Sequence, residues 1–201
     1  MYPDNLRLFM IYLGCGMNRR ITEQHDIFFG VGESIDDPAL HAQIRDSWPD
    51  AKNLHIDGYK IIRQVGEYTV RVHRKTDPLP PNGAIPSSKT LFFANAGFYL
   101  KNEEGESHKW ILLVLDDISE VKSEAMKHPF FKSENMVNMS PVIPHRDNEI
   151  EVLSMDSKKV ADVDDQVNVE SLLKEYTVML YKHISDDEDR WVHLGFHPVQ
   201  K

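Results

Sequence analysis

The chain has 201 residues, 41% hydrophobic and 27% charged, with a formal net charge of −9 and one cysteine, Cys15. That is an ordinary globular balance with enough length to bury a core, and it speaks against partners read through basic surfaces, such as nucleic acid or an anionic membrane. A single cysteine excludes an internal disulfide, and no stretch approaches the ~20 apolar residues of a membrane span, so a cytoplasmic location is expected.

The first strand is expected over residues 8–13, an apolar run that ends at Gly14. A polar loop at Asn18-Arg-Arg leads to a second strand at 25–31, whose Ile27-Phe28-Phe29 run suits a strand covered on both faces. Ser34 is placed to cap a helix carrying Asp36 and Asp37 in its first turn. Ala39, Leu40, Ile44 and Trp48 form an imperfect apolar stripe, and Pro49 stops the helix. Two more strands, 54–63 and 68–73, meet at Val65-Gly66-Glu67, a hairpin turn. The unit reads β-β-α-β-β.

The same pattern recurs 83 residues later: Leu8-Phe9 falls on Leu91-Phe92, Gly14 on Gly97, Glu23 on Glu106, His25 on His108, Val31 on Val114, Ile35 on Ile118 and Ala42 on Ala125. That is about eight identities in roughly forty ungapped positions, several times chance. The expected fold class is therefore α+β: two tandem diverged β-β-α-β-β units, each with an antiparallel sheet and a helix packed on it, plus a C-terminal β-hairpin. The first unit spans residues 1–76, a Pro-rich linker 77–90 and the second unit 91–155, with a helix near 119–128 and a last strand at 149–154. Residues 156–201 form an acidic loop, one or two helical turns near 169–174 and the hairpin, strands 176–184 and 190–196. In the cores, Ile27, Phe28, Phe29 and Trp48 are expected to be buried, as are Trp110, Ile111, Leu112 and Phe131.

The first unit resembles a bacterial domain-of-unknown-function family, fifteen forty-three. The segments that carry the resemblance are Leu8-Phe-Met-Ile-Tyr-Leu-Gly, Glu23-Gln-His-Asp-Ile-Phe-Phe-Gly-Val-Gly-Glu-Ser, Leu54-His-Ile-Asp and Gly66-Glu-Tyr-Thr-Val. The resemblance implies a bacterial origin and a unit that occurs once or twice in a chain. It implies no activity and no functional residues.

Chemistry-bearing residues are scattered. Gly30-Val-Gly32 between a strand and a helix suggests a phosphate-binding turn, but Ile35 stands where a third glycine belongs and Asp36 and Asp37 oppose an anion. A tight turn needing glycine's freedom explains it better. His55 and Asp57 share one strand face, a spacing that suits a metal or a His–Asp base if a third partner exists. His193 and His197 have zincin spacing without its glutamate, and Cys15 lacks an activating neighbour. The basic residues Arg71, Arg74 and Lys75 are too few for a nucleic-acid surface. His25 and His108 coincide between the copies, but their neighbours do not, which favours an anchoring role.

His25, Glu33, His55 and Asp57 are thus the candidate ligand-binding residues. No catalytic residue, metal ligand set or cofactor is assigned. The expected function is a non-enzymatic module that binds a small molecule or a protein, with no nucleic acid and no membrane. The alternative is a small metal-dependent enzyme built on His and Asp residues of the first unit.

Overall fold

A computed structural model of the chain describes residues 5–77, 85–98, 107–132, 151–156, 172–182 and 190–200. The protein is α+β, with three antiparallel sheets and short helices. It divides into two compact units, one formed by residues 1–87 with 165–201 and the other by 88–164.

In the first unit, β1 (Arg7–Gly16) is the long apolar strand expected at 8–13. β2 (Gln24–Gly32) pairs with one edge of β1, and β3 (Lys52–Ile62) with the other. Between them runs α1 (Pro38–Ser47). Its cap is Asp37, not Ser34: Asp37 Oδ1 accepts the Ala39 N–H at 2.8 Å and Oδ2 the Glu33 N–H at 2.8 Å. Pro38 explains the shift, since proline at the first helical position has a preset φ and no N–H to satisfy.

Leu40 and Ile44 of α1 pack on Phe9, Ile11, Leu13, Phe28 and Ile56, all buried, with Trp48 half-buried beside them. The glycines of β2 make this packing close. A Cβ on Gly30 would collide with Leu40 Cδ1, and one on Gly32 would stand 3.0 Å from Leu40 Cβ. Neither has a positive φ. Helix approach, more than the turn freedom expected from sequence, accounts for them. Alternation then places Leu8, Met10, Tyr12 and Gly14 on the opposite face of β1.

β4 (Gln64–Val65) and β5 (Tyr68–Arg74) make a short hairpin at the expected turn, with Gly66 at φ 57°, but the strand expected at 54–63 does not pair with β5: as β3 it lies between β1 and β10. β5 then leaves the first sheet. Its other edge pairs with β9 (Tyr176–Lys182), giving a three-stranded sheet β4-β5-β9. The first sheet is completed by β10 (Trp191–Pro198), in the order β10-β3-β1-β2.

The C-terminal strands are therefore present, but the expected C-terminal β-hairpin is not. β9 and β10 pair with β5 and β3 and not with each other, each closing an edge of the first unit's sheets. Both strands belong to the first unit.

In the second unit β6 (Thr90–Phe98) pairs with β7 (Ser107–Leu115) and with β8 (Glu151–Ser154). A 3-10 turn at Ile118–Glu120, capped by Asp117, opens into α2 (Val121–Ala125), and α3 (Pro129–Lys132) begins at the proline expected to end the helix. Val121 and Ala125 pack on Phe92, Ala94 and Ile111. Trp110, Leu112 and Phe131 are half-buried, less enclosed than expected. The linker's residues 78–84, the turn at 145–148, the loop at 157–165 and the acidic run at 185–189 lie outside the described residues.

The register repeats. Leu8 faces Val31 and Gly14 faces His25, while Leu91 faces Val114 and Gly97 faces His108. Both pairs are related by the same 83-residue shift found in the sequence.

Candidate functional site

Gly14 of β1 faces His25 of β2 on one side and His55 of β3 on the other. Three strands thus present imidazole, bare backbone and imidazole in one row. A Cβ at Gly14 would stand 2.6 Å from His55 Nε2 and 2.9 Å from Asp57 Oδ2, so glycine supplies the space in which these side chains meet.

Two irregularities in β3 aim the groups. Tyr12 faces Gly58 and Leu13 faces Ile56, which leaves Asp57 as the extra residue of a bulge. Bulges re-aim a side chain out of the regular alternation. A second shift separates Gly14–His55 from Gly16–Lys52, and Asn53 there has φ 51°. This turns the Asn53 carbonyl onto the His55 ring: His55 Nδ1–H donates to Asn53 O at 2.8 Å. A carbonyl can only accept, so the proton is fixed on Nδ1 and Nε2 points into the site.

Glu23, just before β2, completes the group. His55 Nε2 lies 3.3 Å from Glu23 Oε1 and 3.3 Å from Asp57 Oδ1. His25 Nε2 lies 3.3 Å from Asp57 Oδ2 and 3.6 Å from Glu23 Oε2. The four side chains form a ring that alternates imidazole and carboxylate. His55 is buried, with 4% of its side chain exposed, while Glu23 is the most open member at 45%. Asp57 Oδ2 is buried and, its 3.3 Å contact with His25 apart, accepts no hydrogen bond from the described residues.

Aromatic rings frame these four side chains. Tyr12 stacks on His25 at 5.0 Å between centroids and 15° between planes. Burial first, then the charges of Asp57 and Glu23, push the Tyr12 phenol above its ordinary range. Phe196 stacks on His55 at 4.4 Å and 28°. A shift in the pairing of β10 with β3 between His193 and His197, with Gly195 at φ 69°, accompanies its placement.

Cys15 is buried on the other face of β1, where burial and then Glu23 raise its thiol pKa. It is not part of the ring.

Of the four residues singled out from sequence, His25, His55 and Asp57 come together. Glu33 does not: it follows the far end of β2, eight residues from His25 and so roughly 26 Å along the strand, and its N–H is held by Asp37. Glu23 takes the place expected of it. The signal for Glu23 was its spacing, two residues before His25, the same interval that joins His55 to Asp57.

A second cluster, Asp36, His41 and His197, is the group among the described residues whose ligand atoms all lie within 4.8 Å of one another. Distance favours it; hydrogen bonding does not. His41 Nε2–H donates to Ile35 O at 2.9 Å, and His41 Nδ1 accepts the Gln200 N–H at 2.8 Å. Both nitrogens are committed, so binding a metal there would break a buried bond. This cluster fastens the segment after β10 to α1, helped by Arg45 donating to Gln200 O and His197 facing Asp36 at 3.2 Å.

Residues 20–72 match the model of a family described as Domain of Unknown Function (DUF1543), in agreement with the resemblance carried by the first unit. No curated protein matches the chain. The crystal structure of protein Il1583 from Idiomarina loihiensis is similar, at 20% identity and a TM-score of 0.59. The similarity covers 98% of this chain and 99% of that one, so it extends over both units as a likeness of fold. No described helix is long and apolar enough to cross a membrane.

Proposed function

We propose that this protein binds a divalent transition metal through Glu23, His25, His55 and Asp57, so that the ligand of the binding module is a cation. The observation that carries this is the tautomer of His55. With a proton held on Nδ1 by Asn53 O, His55 aims Nε2 at Glu23 Oε1 and Asp57 Oδ1, each at 3.3 Å. Two carboxylates gathered around inward-facing ring nitrogens call for positive charge among them. A backbone carbonyl on the far nitrogen of an inward-facing imidazole is the usual support of a metal-ligating histidine.

The spacing favours a metal over a shared proton. Charge-assisted N–H···O bonds run about 2.7–2.9 Å, shorter than the separations here. Donors about 2.1 Å from a tetrahedral ion stand roughly 3.4 Å apart, close to what neighbouring members of the ring show. Across its diagonals the ring is wider than one ion's reach. Glu23, at 45% the most exposed of the four, is the member freest to move inward. Two imidazoles and two carboxylates without a thiolate suit zinc, iron or manganese better than a thiophilic ion.

The metal content of protein purified without an affinity tag tests this. About one equivalent of a first-row divalent metal is expected, with loss in Asp57→Asn and in His55→Ala. A protein that arrives empty and takes up no zinc, cobalt or manganese overturns it.

We also infer that the two units descend from one by duplication. The support is the identical 83-residue shift in sequence and in strand register. In the second unit His108 Nδ1–H donates to Asn95 Oδ1 at 3.1 Å, where Tyr12 stacks on His25 in the first. The metal site thus belongs to the first unit, and the shared histidines serve different ends.

A further inference from the structure

We infer that the metal site takes an organic anion, whose acid group meets the ion beside Arg19, Arg20 and Lys52 and whose apolar body lies on Phe196. This rests on the metal reading above. A divalent ion cancels the charges of Glu23 and Asp57, so the charge that a ligand meets is set by what surrounds them.

Strand register assembles that surrounding. Lys52 faces Gly16, two residues beyond the Gly14–His55 pair and so about 7 Å along the strand. Lys52 Nζ donates to Asn18 Oδ1 at 2.7 Å, which ties the β1–β2 loop to the start of β3. That bond to a neutral amide leaves the ammonium charge uncancelled. Arg19 and Arg20 sit in the same loop, exposed, within four residues of Glu23. Among the described residues no salt bridge joins either arginine to an acid. Three cations at one end of one sheet stand against a chain of net charge −9. They are also brought together by folding, since Lys52 is distant from the arginines in sequence.

The apolar half of the ligand follows from Phe196. One part of its ring covers His55, yet the residue is 63% exposed. A large aromatic side chain held in place by stacking and otherwise open to water is a contact surface for an apolar group. Because it abuts a metal ligand, what binds the ion touches the ring. An inorganic anion would leave Phe196 unused, and a neutral apolar molecule would leave the cations unused. A carboxylate with an aromatic or aliphatic body uses both.

The test uses the full chain loaded with cobalt(II), whose visible bands report a change of ligand, and titrates acetate and benzoate. Both anions should perturb the bands, benzoate about tenfold more tightly through apolar burial. Arg19→Gln/Arg20→Gln should weaken both by about three- to tenfold while cobalt content is unchanged, as expected of partly screened charges. Phe196→Ala should bring benzoate down to the level of acetate. If cobalt binds but neither anion perturbs it, or the variants bind both anions as the parent does, this inference is overturned and the metal site stands. If cobalt does not bind, both readings fall.

Discussion

A methyl group on Gly14 would stand 2.6 Å from His55 Nε2, closer than real Cβ atoms come to a neighbour. Gly14→Ala should therefore push the buried His55 ring aside and open the ring of ligands. The expected result is loss of bound metal, by at least about tenfold in affinity, the range seen when support of a ligand is disturbed. Isothermal titration with zinc measures it. Circular dichroism should still show a folded protein, since Tyr12, Leu13 and Cys15 keep the strand in place. Undiminished affinity would mean that His55 is not a ligand.

The clasp between α1 and the segment after β10 can be tested at His41. Its ring satisfies Ile35 O and the Gln200 N–H while fully buried. His41→Ala leaves two groups without partners, each at about 1–3 kcal/mol. A fall in unfolding free energy of roughly 2–4 kcal/mol by urea titration is expected. A melting temperature equal to that of the parent would show that the clasp contributes nothing.

Tyr12 gives a pH dependence. In the folded protein its phenol is raised above 10.0, by burial first and then by Asp57 and Glu23. The fold thus favours the protonated phenol, and the stability this contributes is fully present below the unfolded value of about 10. It is lost as pH rises through the folded value. The stability of the parent relative to Tyr12→Phe should be constant below about pH 10 and fall as pH rises above it. Asp57→Asn, which removes one of the two charges, should lower the alkaline midpoint of the phenol absorbance.

Core truncation separates the two apolar runs. Phe29 is fully buried on the face away from α1, and Phe29→Ala should cost about 3–5 kcal/mol. Trp110 is half-buried, so Trp110→Ala should cost less. Equal losses would place Trp110 in a closed core.

What was legible in the sequence is what a short segment decides by itself. The strands at 8–13, 25–31, 54–63 and 68–73 and the turn at Gly66 all follow from apolar runs and turn residues, and all are present. The pairing of β9 with β5 and of β10 with β3 is not legible, because a strand's own residues do not say which open edge it will meet. The site shows the same division. His55 and Asp57 could be set on one face by the two-residue period, but joining them to Glu23 needs the register through Gly14 and the bulge at Asp57. Glu33 looked close to His25 in number, and an extended strand puts it at the other end.

The first unit is written in two pieces, with residues 88–164 between them. During synthesis β1, β2, α1 and β3 emerge early, yet the edge of β3 stays bare until β10 has been made. The intervening unit, by contrast, is continuous and can fold as soon as it is clear of the ribosome. The ring of Phe196 is thus among the last parts of the site to arrive, so Glu23, His25, His55 and Asp57 are all made before the aromatic wall over His55 exists. An exposed β3 edge is an invitation to pair with another chain during that interval. Loss of residues 190–200 by early termination would make that temporary exposure permanent.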